Sequence, residues 1–241
     1  MKSNYVQSEL LSRAGAINAV SMRVEDKPAM FSMKRNGSMD GPEAENRKEF
    51  FASLGFDEST VARGNQVHGD KVEVAESALT FPDTDGLLTR SGNLLLLISI
   101  ADCVPVLLFD RKLKVAAAVH SGWKGTVKNI AGKSIDLMCN ELNSSPEDVV
   151  AFIGPSAGVC CYEVGEDVAE YFSPRFLRST SRAGKSKLDL KLAIASQLIE
   201  RGIPKGNIEL SSYCSICNPN FHSFRRDGES SGRMLAAIAI K

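Results

Sequence analysis

One thiol and one imidazole stand where a folded chain can aim reactive side chains into a shared cleft. Cys103 follows an apolar run at residues 94–100, and His120 directly follows a second run at residues 115–119. A cysteine nucleophile beside a histidine base is the arrangement of a thiol hydrolase. The alternative is structural, because most free cysteines in such runs are small buried hydrophobic residues, and a core histidine simply bonds a neighbour. These two residues alone leave both interpretations open.

Other polar residues extend the candidate site. His68 lies directly before Gly69, where the chain changes direction, and the alternative interpretation is a solvated loop histidine. Gln66, Asp85 and Asp102 are the candidates for a general base.

Two groups of basic residues are candidates for binding phosphate. Arg225 and Arg226 present adjacent guanidinium groups, and Lys34 and Arg35 form a small basic spot beside a turn. Arginine side chains suit phosphate because their planar donors match its oxygens. The alternative for the arginine pair is a solvated surface turn.

Three apolar runs around Cys103 and His120 predict strands buried on both faces, because each is unbroken and bounded by turn or charged residues. They are residues 94–100, 106–109 and 115–119. Pro105 lacks the N–H that a strand ladder uses, so it predicts an edge, bulge or strand break just after Cys103.

A helix is predicted after His120. Residues 125–142 carry apolar side chains at helical spacing, from Val127 to Leu142, so His120 is expected where a strand gives way to a helix. Other patterns predict helices at 42–54 and 188–201 and strands at 149–153, 208–213 and 235–240.

Composition excludes some classes of partner. The 241 residues are 43% hydrophobic and 24% charged, with 29 basic and 29 acidic side chains, so no global field attracts nucleic acid or an anionic membrane. We expect one domain over residues 1–241. The N-terminus lacks a continuous apolar segment of signal-peptide length, and no stretch reaches the roughly 18 apolar residues of a membrane span, so we expect a cytoplasmic protein.

The six cysteines do not look like a disulfide scaffold, because the chain is long and two of them are adjacent. Cys214-Ser-Ile-Cys217 has the spacing of a zinc knuckle or a redox pair. Since no second pair with that spacing exists, we interpret these cysteines as free thiols.

Six short motifs occur in a fixed order, and together they resemble the YfiH, or laccase-domain, family. They are Asn65-Gln-Val-His-Gly69, Ala101-Asp-Cys-Val-Pro105, His120-Ser-Gly-Trp-Lys-Gly125, Ile153-Gly-Pro155, Tyr162-Glu-Val164 and Ser223-Phe-Arg-Arg-Asp227. The resemblance runs from about Phe31 to the C-terminus. It implies an α+β fold, a single domain with mixed β-sheets and outer helices.

The resemblance also implies a metal site made by His68, Cys103 and His120. Two imidazoles and a thiolate suit Zn2+, with copper as the alternative, and three protein ligands leave one position open. The implied enzyme is a zinc-dependent purine nucleoside phosphorylase acting on small molecules, namely phosphate and nucleosides of the adenosine, inosine and methylthioadenosine class. Deamination of adenosine is a further implied activity.

Phosphate is then expected at Lys34, Arg35, Lys124, Arg225 and Arg226. The alternatives to a phosphorylase are a peptidoglycan-editing amidase that uses Cys103 and His120, a copper-dependent polyphenol oxidase, and a non-enzymatic metal-binding partner protein.

The chain departs from the family pattern at several positions. Lys124 replaces an arginine, His222 an aromatic residue and Phe224 a tyrosine. The family's early Thr-Arg-x-Gly-Gly element is present only as Met33-Lys-Arg-Asn-Gly37, and the stretch that normally follows it is shortened. Because the family carries an aromatic residue at 222, we predict that His222 is not a metal ligand.

Overall fold

Two six-stranded β-sheets lie face to face at the centre of the molecule, and helices cover their outer faces. The computed structural model describes residues 4–34 and 40–241. The strands in these residues are β1 (Tyr5–Val6), β2 (Ala16–Ser21), β3 (Val61–Gly64), β4 (Val72–Val74), β5 (Thr80–Phe81), β6 (Gly86–Thr89), β7 (Leu95–Ile100), β8 (Val104–Asp110), β9 (Val115–Ser121), β10 (Val149–Ile153), β11 (Glu163–Gly165), β12 (Leu177–Ser179), β13 (Lys185–Leu188), β14 (Ile208–Leu210) and β15 (Met234–Ile240).

Among the described residues the helices are fewer than the strands, and the longest of them is α4 with 13 residues. Those in the described residues are α1 (Glu9–Ala14), α2 (Pro42–Ser53), α3 (Trp123–Val127), α4 (Ile130–Leu142), α5 (Glu166–Ala169), α6 (Leu190–Glu200) and α7 (Phe224–Asp227). Among them, none combines the length and the apolar character that crossing a membrane requires.

Both large sheets are mixed. The first has the order β1-β2-β15-β7-β3-β5, and the second has the order β14-β10-β8-β9-β6-β4. Most neighbours are antiparallel, but β3 runs parallel to β5 and β7, β10 runs parallel to β14, and β4 runs parallel to β6. A small antiparallel sheet of β11, β13 and β12 lies outside them. The predicted α+β fold with mixed sheets and outer helices is confirmed.

The side chains of β8 show why the central runs are continuously apolar. Leu107 and Phe109 pack between the two sheets, whereas Val106 and Leu108 pack on the opposite face, in the core that includes α4 and α6. Successive side chains of a strand point to opposite faces, so a strand covered on both faces has no polar position. The other face of the first sheet is covered by α2, through Phe50 and Phe51 among others.

Of the three alternatives predicted at Pro105, an edge, a bulge or a strand break, the strand break is wrong. Pro105 lies inside β8, opposite His120 on β9. On its other side β10 ends at Ile153, opposite Val106, and the Pro105 carbonyl accepts a hydrogen bond from the Gly154 N–H at 2.9 Å. In an antiparallel pair, the backbone N and C=O of one residue face the same neighbouring strand. The Pro105 nitrogen, which carries no hydrogen, therefore faces the chain just past the end of β10, where no ladder hydrogen bond is lost.

The single helix predicted at residues 125–142 is two helices. α3 ends at Val127, and α4 begins after Asn129, whose backbone is left-handed with φ 58°. The Asn129 side chain accepts from the Gly132 N–H and caps α4. Asparagine tolerates this conformation and caps helices well, so the apolar pattern alone did not reveal the break.

Candidate metal centre and active-site cleft

His68, Cys103 and His120 come together at one end of the two sheets. Their candidate ligand atoms all lie within 4.8 Å of one another. His120 is on β9, Cys103 is in the turn between β7 and β8, and His68 is in the loop after β3. The two imidazole rings meet edge to face, with 4.9 Å between centroids. Residues that are far apart in sequence thus form one cluster.

The backbone around this cluster is tightly constrained. His68 and Asp102 both adopt positive φ, 59° and 87°, which non-glycine residues rarely do. At Gly122, an added Cβ would lie 3.0 Å from the Cys103 Sγ and 3.4 Å from the His68 ring. Glycine at 122 therefore keeps space open beside the cluster.

Asp85 holds His120 and the His68 loop together. Its carboxylate lies 2.7 Å from His120 Nδ1 and accepts hydrogen bonds from the N–H groups of Val67, His68 and Gly69 at 3.1, 3.0 and 2.8 Å. This contact leaves His120 Nε2 for a metal, as carboxylates that orient metal-binding histidines do. Asp85 was a candidate general base, and its carboxylate is fully engaged with His120 and the His68 loop, which favours a positioning role.

Gln66, another candidate general base, is bonded to the backbone of β7. Its side-chain amide donates to the Ser99 carbonyl at 2.9 Å and accepts from the Ser99 N–H at 2.7 Å. These two bonds attach the His68 loop to β7. An amide engaged in this way is not a general base.

Asp102, the third candidate base, is bonded as well. Its two carboxylate oxygens accept from the Ser215 hydroxyl at 2.6 Å and from the Arg225 N–H at 2.7 Å. Asp102 thus holds the segment that carries Arg225 against the turn that carries Cys103.

The charges of Cys103 and His120 stabilise each other. Burial raises the pKa of the Cys103 thiol, but the charge of His120 and hydrogen bonds from His120 and His68 outweigh it and lower the pKa to about 6. Burial lowers the pKa of His120, whereas Cys103 and Asp85 raise it to about 9. When no metal is bound, these opposite shifts favour a thiolate on Cys103 beside a protonated His120. A thiolate, a second imidazole and an imidazole oriented by a carboxylate form a donor set that fits a metal such as zinc.

The cluster opens into a cleft of about 860 Å³. Its lining includes the aromatic side chains of Trp123, Tyr162 and Phe224. The cationic residues of the lining are Lys34, Arg47, Arg63, Lys124, Arg225 and Arg233. This volume accommodates a small-molecule ligand, and the cationic lining favours an anionic one.

The sequence comparisons identify the family of this chain. The family model described as multi-copper polyphenol oxidoreductase laccase matches residues 34–241. This chain belongs to that family. It is 42% identical to a purine nucleoside phosphorylase of Deinococcus radiodurans over 83% of this chain and 78% of the relative. It is 31% identical to adenosine deaminase RL5 of an unknown prokaryotic organism, over 78% of each.

Solved structures of the family share the fold. The crystal structure of YlmD from Geobacillus stearothermophilus matches 100% of this chain and 97% of its own, with a TM-score of 0.90 and 28% sequence identity. The arrangement of sheets and helices described above is therefore that of the laccase-domain family.

The structure separates the predicted phosphate ligands. Lys34, Lys124 and Arg225 line the cleft, and Arg35 lies outside the described residues. The structure does not support a phosphate role for Arg226. The Arg226 guanidinium donates to backbone carbonyls and pairs with Asp227 at 2.7 Å, and those carbonyls belong to Ser215, Ile216, Asn218 and Phe221.

Sequence reasoning assigned no role to several residues of the cleft. Asn65 and Tyr162 stand in the quoted motifs, so their place in the motif was the available signal. Arg63 precedes the first motif by two residues, and Arg233 follows the last motif by six. Their position in the cleft depends on how the strands pack, which no local pattern indicated.

His222 lies apart from the cluster of His68, Cys103 and His120. Its ring is buried, and Nε2 faces the Met30 carbonyl at 3.2 Å. Burial lowers the pKa of His222 to about 4, with Arg23 adding to the effect against the Met30 hydrogen bond. This histidine is neutral at pH 7.

A second cluster of possible metal ligands was missed in the sequence. The sulfur atoms of Cys160, Cys161, Cys214 and Cys217 all lie within 4.8 Å of one another. The adjacent pair at 160 and 161 lacks knuckle spacing, so nothing in the sequence linked it to Cys214 and Cys217. The fold joins the two pairs.

Proposed function

We propose that this chain is a purine nucleoside phosphorylase that depends on zinc at His68, Cys103 and His120. The observation that carries the proposal is the cluster of two imidazoles and a thiol opening into a cleft with cationic and aromatic walls. The relative in Deinococcus radiodurans that is named purine nucleoside phosphorylase supports it.

The donor set suits zinc, and three protein ligands leave a coordination position for substrate. Bound there, zinc would supply a Lewis acid that polarises a substrate atom. Asp85 keeps the proton on His120 Nδ1, so that Nε2 is the available donor.

Arg225 is the residue we assign to phosphate, together with Lys34 and Lys124. Its N–H is held by Asp102, its guanidinium lies 5.2 Å from the centre of the Tyr162 ring, and one Nη1 bond goes to the Glu163 carbonyl at 3.2 Å. The planar fork keeps further donors for phosphate oxygens. A phosphate oxygen would form the new bond to ribose C1′ as the bond from C1′ to the purine breaks.

The aromatic side chains of Trp123, Tyr162 and Phe224 supply flat apolar surface for a purine ring. Aromatic rings prefer offset or edge contacts with other rings, and they bury large apolar areas. The cleft thus offers separate kinds of surface to the base and to phosphate.

The test is phosphate dependence. Incubation with adenosine or inosine should release free base and ribose 1-phosphate only when phosphate is present. Equal release of base without phosphate would contradict the proposal and indicate a nucleoside hydrolase. Formation of inosine and ammonia from adenosine would add deamination, as the relative named adenosine deaminase suggests.

Arg225→Ala tests the assignment of phosphate. Loss of a charge-assisted hydrogen bond costs about 1.5 to 3 kcal/mol, so we expect the apparent phosphate affinity to fall roughly tenfold or more. The zinc content should not change. Arg226→Ala is not a matched control because its guanidinium stabilises the Cys214 turn; Arg178→Ala, on an exposed position of β12, is the control and should keep wild-type phosphate use.

The thiolate of Cys103 paired with protonated His120 also favours a second candidate, a thiol amidase. Cleavage of a muropeptide precursor amide without release of any purine would favour that reaction. A multi-copper oxidase is disfavoured, because the chain has three histidines and His222 is bound to Met30.

A further inference from the structure

The four cysteines outside the His68 cluster converge from two turns. Cys160 and Cys161 lie between β10 and β11, and Cys214 and Cys217 follow β14. The sulfur atoms of Cys160 and Cys217 are 3.9 Å apart, and all four lie within 4.8 Å of one another. A disulfide would need a sulfur separation of about 2.05 Å.

The 3.9 Å between the sulfur atoms of Cys160 and Cys217 matches one tetrahedral metal ion, and the limit of 4.8 Å on the other separations is compatible with it. Four sulfur atoms at about 2.3 Å from zinc are separated by about 3.8 Å from one another. We propose that Cys160, Cys161, Cys214 and Cys217 bind a second, structural zinc ion, distinct from the ion at His68, Cys103 and His120. Four protein ligands close the coordination sphere, so this ion has no open position for substrate.

The turn at Cys214 has the features of a zinc knuckle. Cys214 and Cys217 have the required spacing, and the Gly158 N–H donates to the Cys214 Sγ at 3.2 Å. An added Cβ at Gly158 would lie 3.0 Å from the Cys214 Cβ and 3.3 Å from the Cys160 Sγ. Glycine therefore allows the two turns to approach closely enough to share a metal.

Two lysines lie beside the cluster. Lys191 is 7% exposed, and its Nζ donates to the carbonyls of Ser211 and Tyr213, both at 2.7 Å. Lys187 donates to the Cys160 carbonyl at 2.6 Å. Among the described residues neither ammonium forms an ion pair with a carboxylate. Four thiolates around Zn2+ carry a net charge of minus two, which these two ammonium groups would balance.

The proposed ion would hold two walls of the active-site cleft together. Cys161 directly precedes Tyr162, and Ser215, inside the Cys214 turn, donates to Asp102. The Ser215 N–H also donates to the Ser156 carbonyl at 2.9 Å. The zinc would therefore fix the turns that carry Tyr162 and support Arg225.

The test is the zinc content of the intact chain, measured by inductively coupled plasma mass spectrometry after purification with a reductant and without chelators. We expect two zinc ions per wild-type chain and one in Cys217→Ser. The double variant His68→Ala/Cys103→Ala should also hold one, in the four-cysteine cluster. Cys139→Ser is the matched control, since Cys139 belongs to neither cluster, and it should keep two.

The double variant leaves the four cysteines untouched, so it decides the question even if Cys217→Ser does not fold. Complete loss of zinc from it would overturn the proposal. Iron in place of zinc, or a disulfide between Cys214 and Cys217 in the wild type, would do the same. Cobalt provides a second readout, since the intense charge-transfer absorption of a four-thiolate site should persist in the double variant and fall in Cys217→Ser. Neither measurement uses catalysis, so the result is independent of the reaction proposed above.

Discussion

At the scale of single residues, Asp85 connects parts of the chain that share no local pattern. Its carboxylate touches His120 Nδ1 and three consecutive N–H groups of the His68 loop. Burial raises the pKa of Asp85, but His120 and the N–H groups of Gly69 and Val67 outweigh it and lower the pKa. One ionised side chain therefore sets the tautomer of one predicted ligand and the position of another.

Asp85→Asn should weaken zinc binding. An amide cannot stabilise the Nδ1 proton of His120 as a carboxylate does, so we expect zinc affinity at this site to fall roughly 10- to 100-fold. Competition with a coloured chelator measures the change. The control is Asp83→Asn in the same turn, where the side chain is exposed, and it should bind zinc as the wild type does. An unchanged affinity in Asp85→Asn would refute the positioning role.

His222 predicts how stability depends on pH. Its folded pKa is about 4, below its ordinary value of 6.5, so the unfolded chain binds this proton first as pH falls. Stability is then lost from about pH 6.5 downward, by on the order of 3 kcal/mol when pH 4 is reached.

Urea unfolding of the wild type and His222→Phe between pH 7 and pH 4.5 measures this contribution. The loss of stability on acidification should be smaller in the variant, because phenylalanine does not titrate. His222→Phe should also retain the zinc of the His68 cluster. Parallel pH profiles would show that His222 does not titrate as described.

At the scale of secondary-structure elements, the break between α3 and α4 depends on Asn129. The left-handed backbone at this residue redirects the chain, and its side chain caps α4 through the Gly132 N–H. The break separates α3, which begins with Trp123 of the cleft, from α4, which packs on the second sheet. A continuous helix would not allow both placements.

Asn129→Ala should destabilise the fold by about 2 kcal/mol, because alanine both strains the left-handed backbone and lacks the cap. Asn129→Gly is the matched variant. It accepts the same backbone without strain and should cost only a few tenths of a kcal/mol. Urea unfolding distinguishes them, and equal stabilities of the two variants would mean that the backbone conformation is not what matters.

At the scale of the whole molecule, the packing of side chains between the two sheets fixes the position of the cleft. β7 of the first sheet and β8 and β9 of the second lead to the turns and strand ends that carry Cys103 and His120. Leu107 and Phe109 are fully buried between the sheets. Close packing fixes the distance between sheets, and with it the distance between the residues at their ends.

Leu107→Ala should lower the free energy of unfolding by about 2 to 5 kcal/mol, through lost burial and the cavity left behind. Leu113→Ala, at a turn where the side chain is 41% exposed, is the control and should change it by less than about 0.5 kcal/mol. Thermal and urea unfolding measure both. A Leu107→Ala protein as stable as the control would show that the layer between the sheets is not closely packed.

Local pattern was sufficient for the central strands β7 and β9 and for helix α2, whereas the cluster of His68, Cys103 and His120 was implied by the family resemblance. An unbroken apolar run or a helical stripe reports burial directly, and the six motifs were enough to indicate the family. Tertiary structure decided what depends on contacts between distant segments. It placed the Pro105 nitrogen beside the chain just past the end of β10 and paired Asp85 with His120. It bonded the Arg226 guanidinium to backbone carbonyls outside the cleft. It also joined two cysteine pairs from separate turns. Such contacts depend on the register and spacing of strands far apart in sequence, and no periodicity within a single segment carries that information.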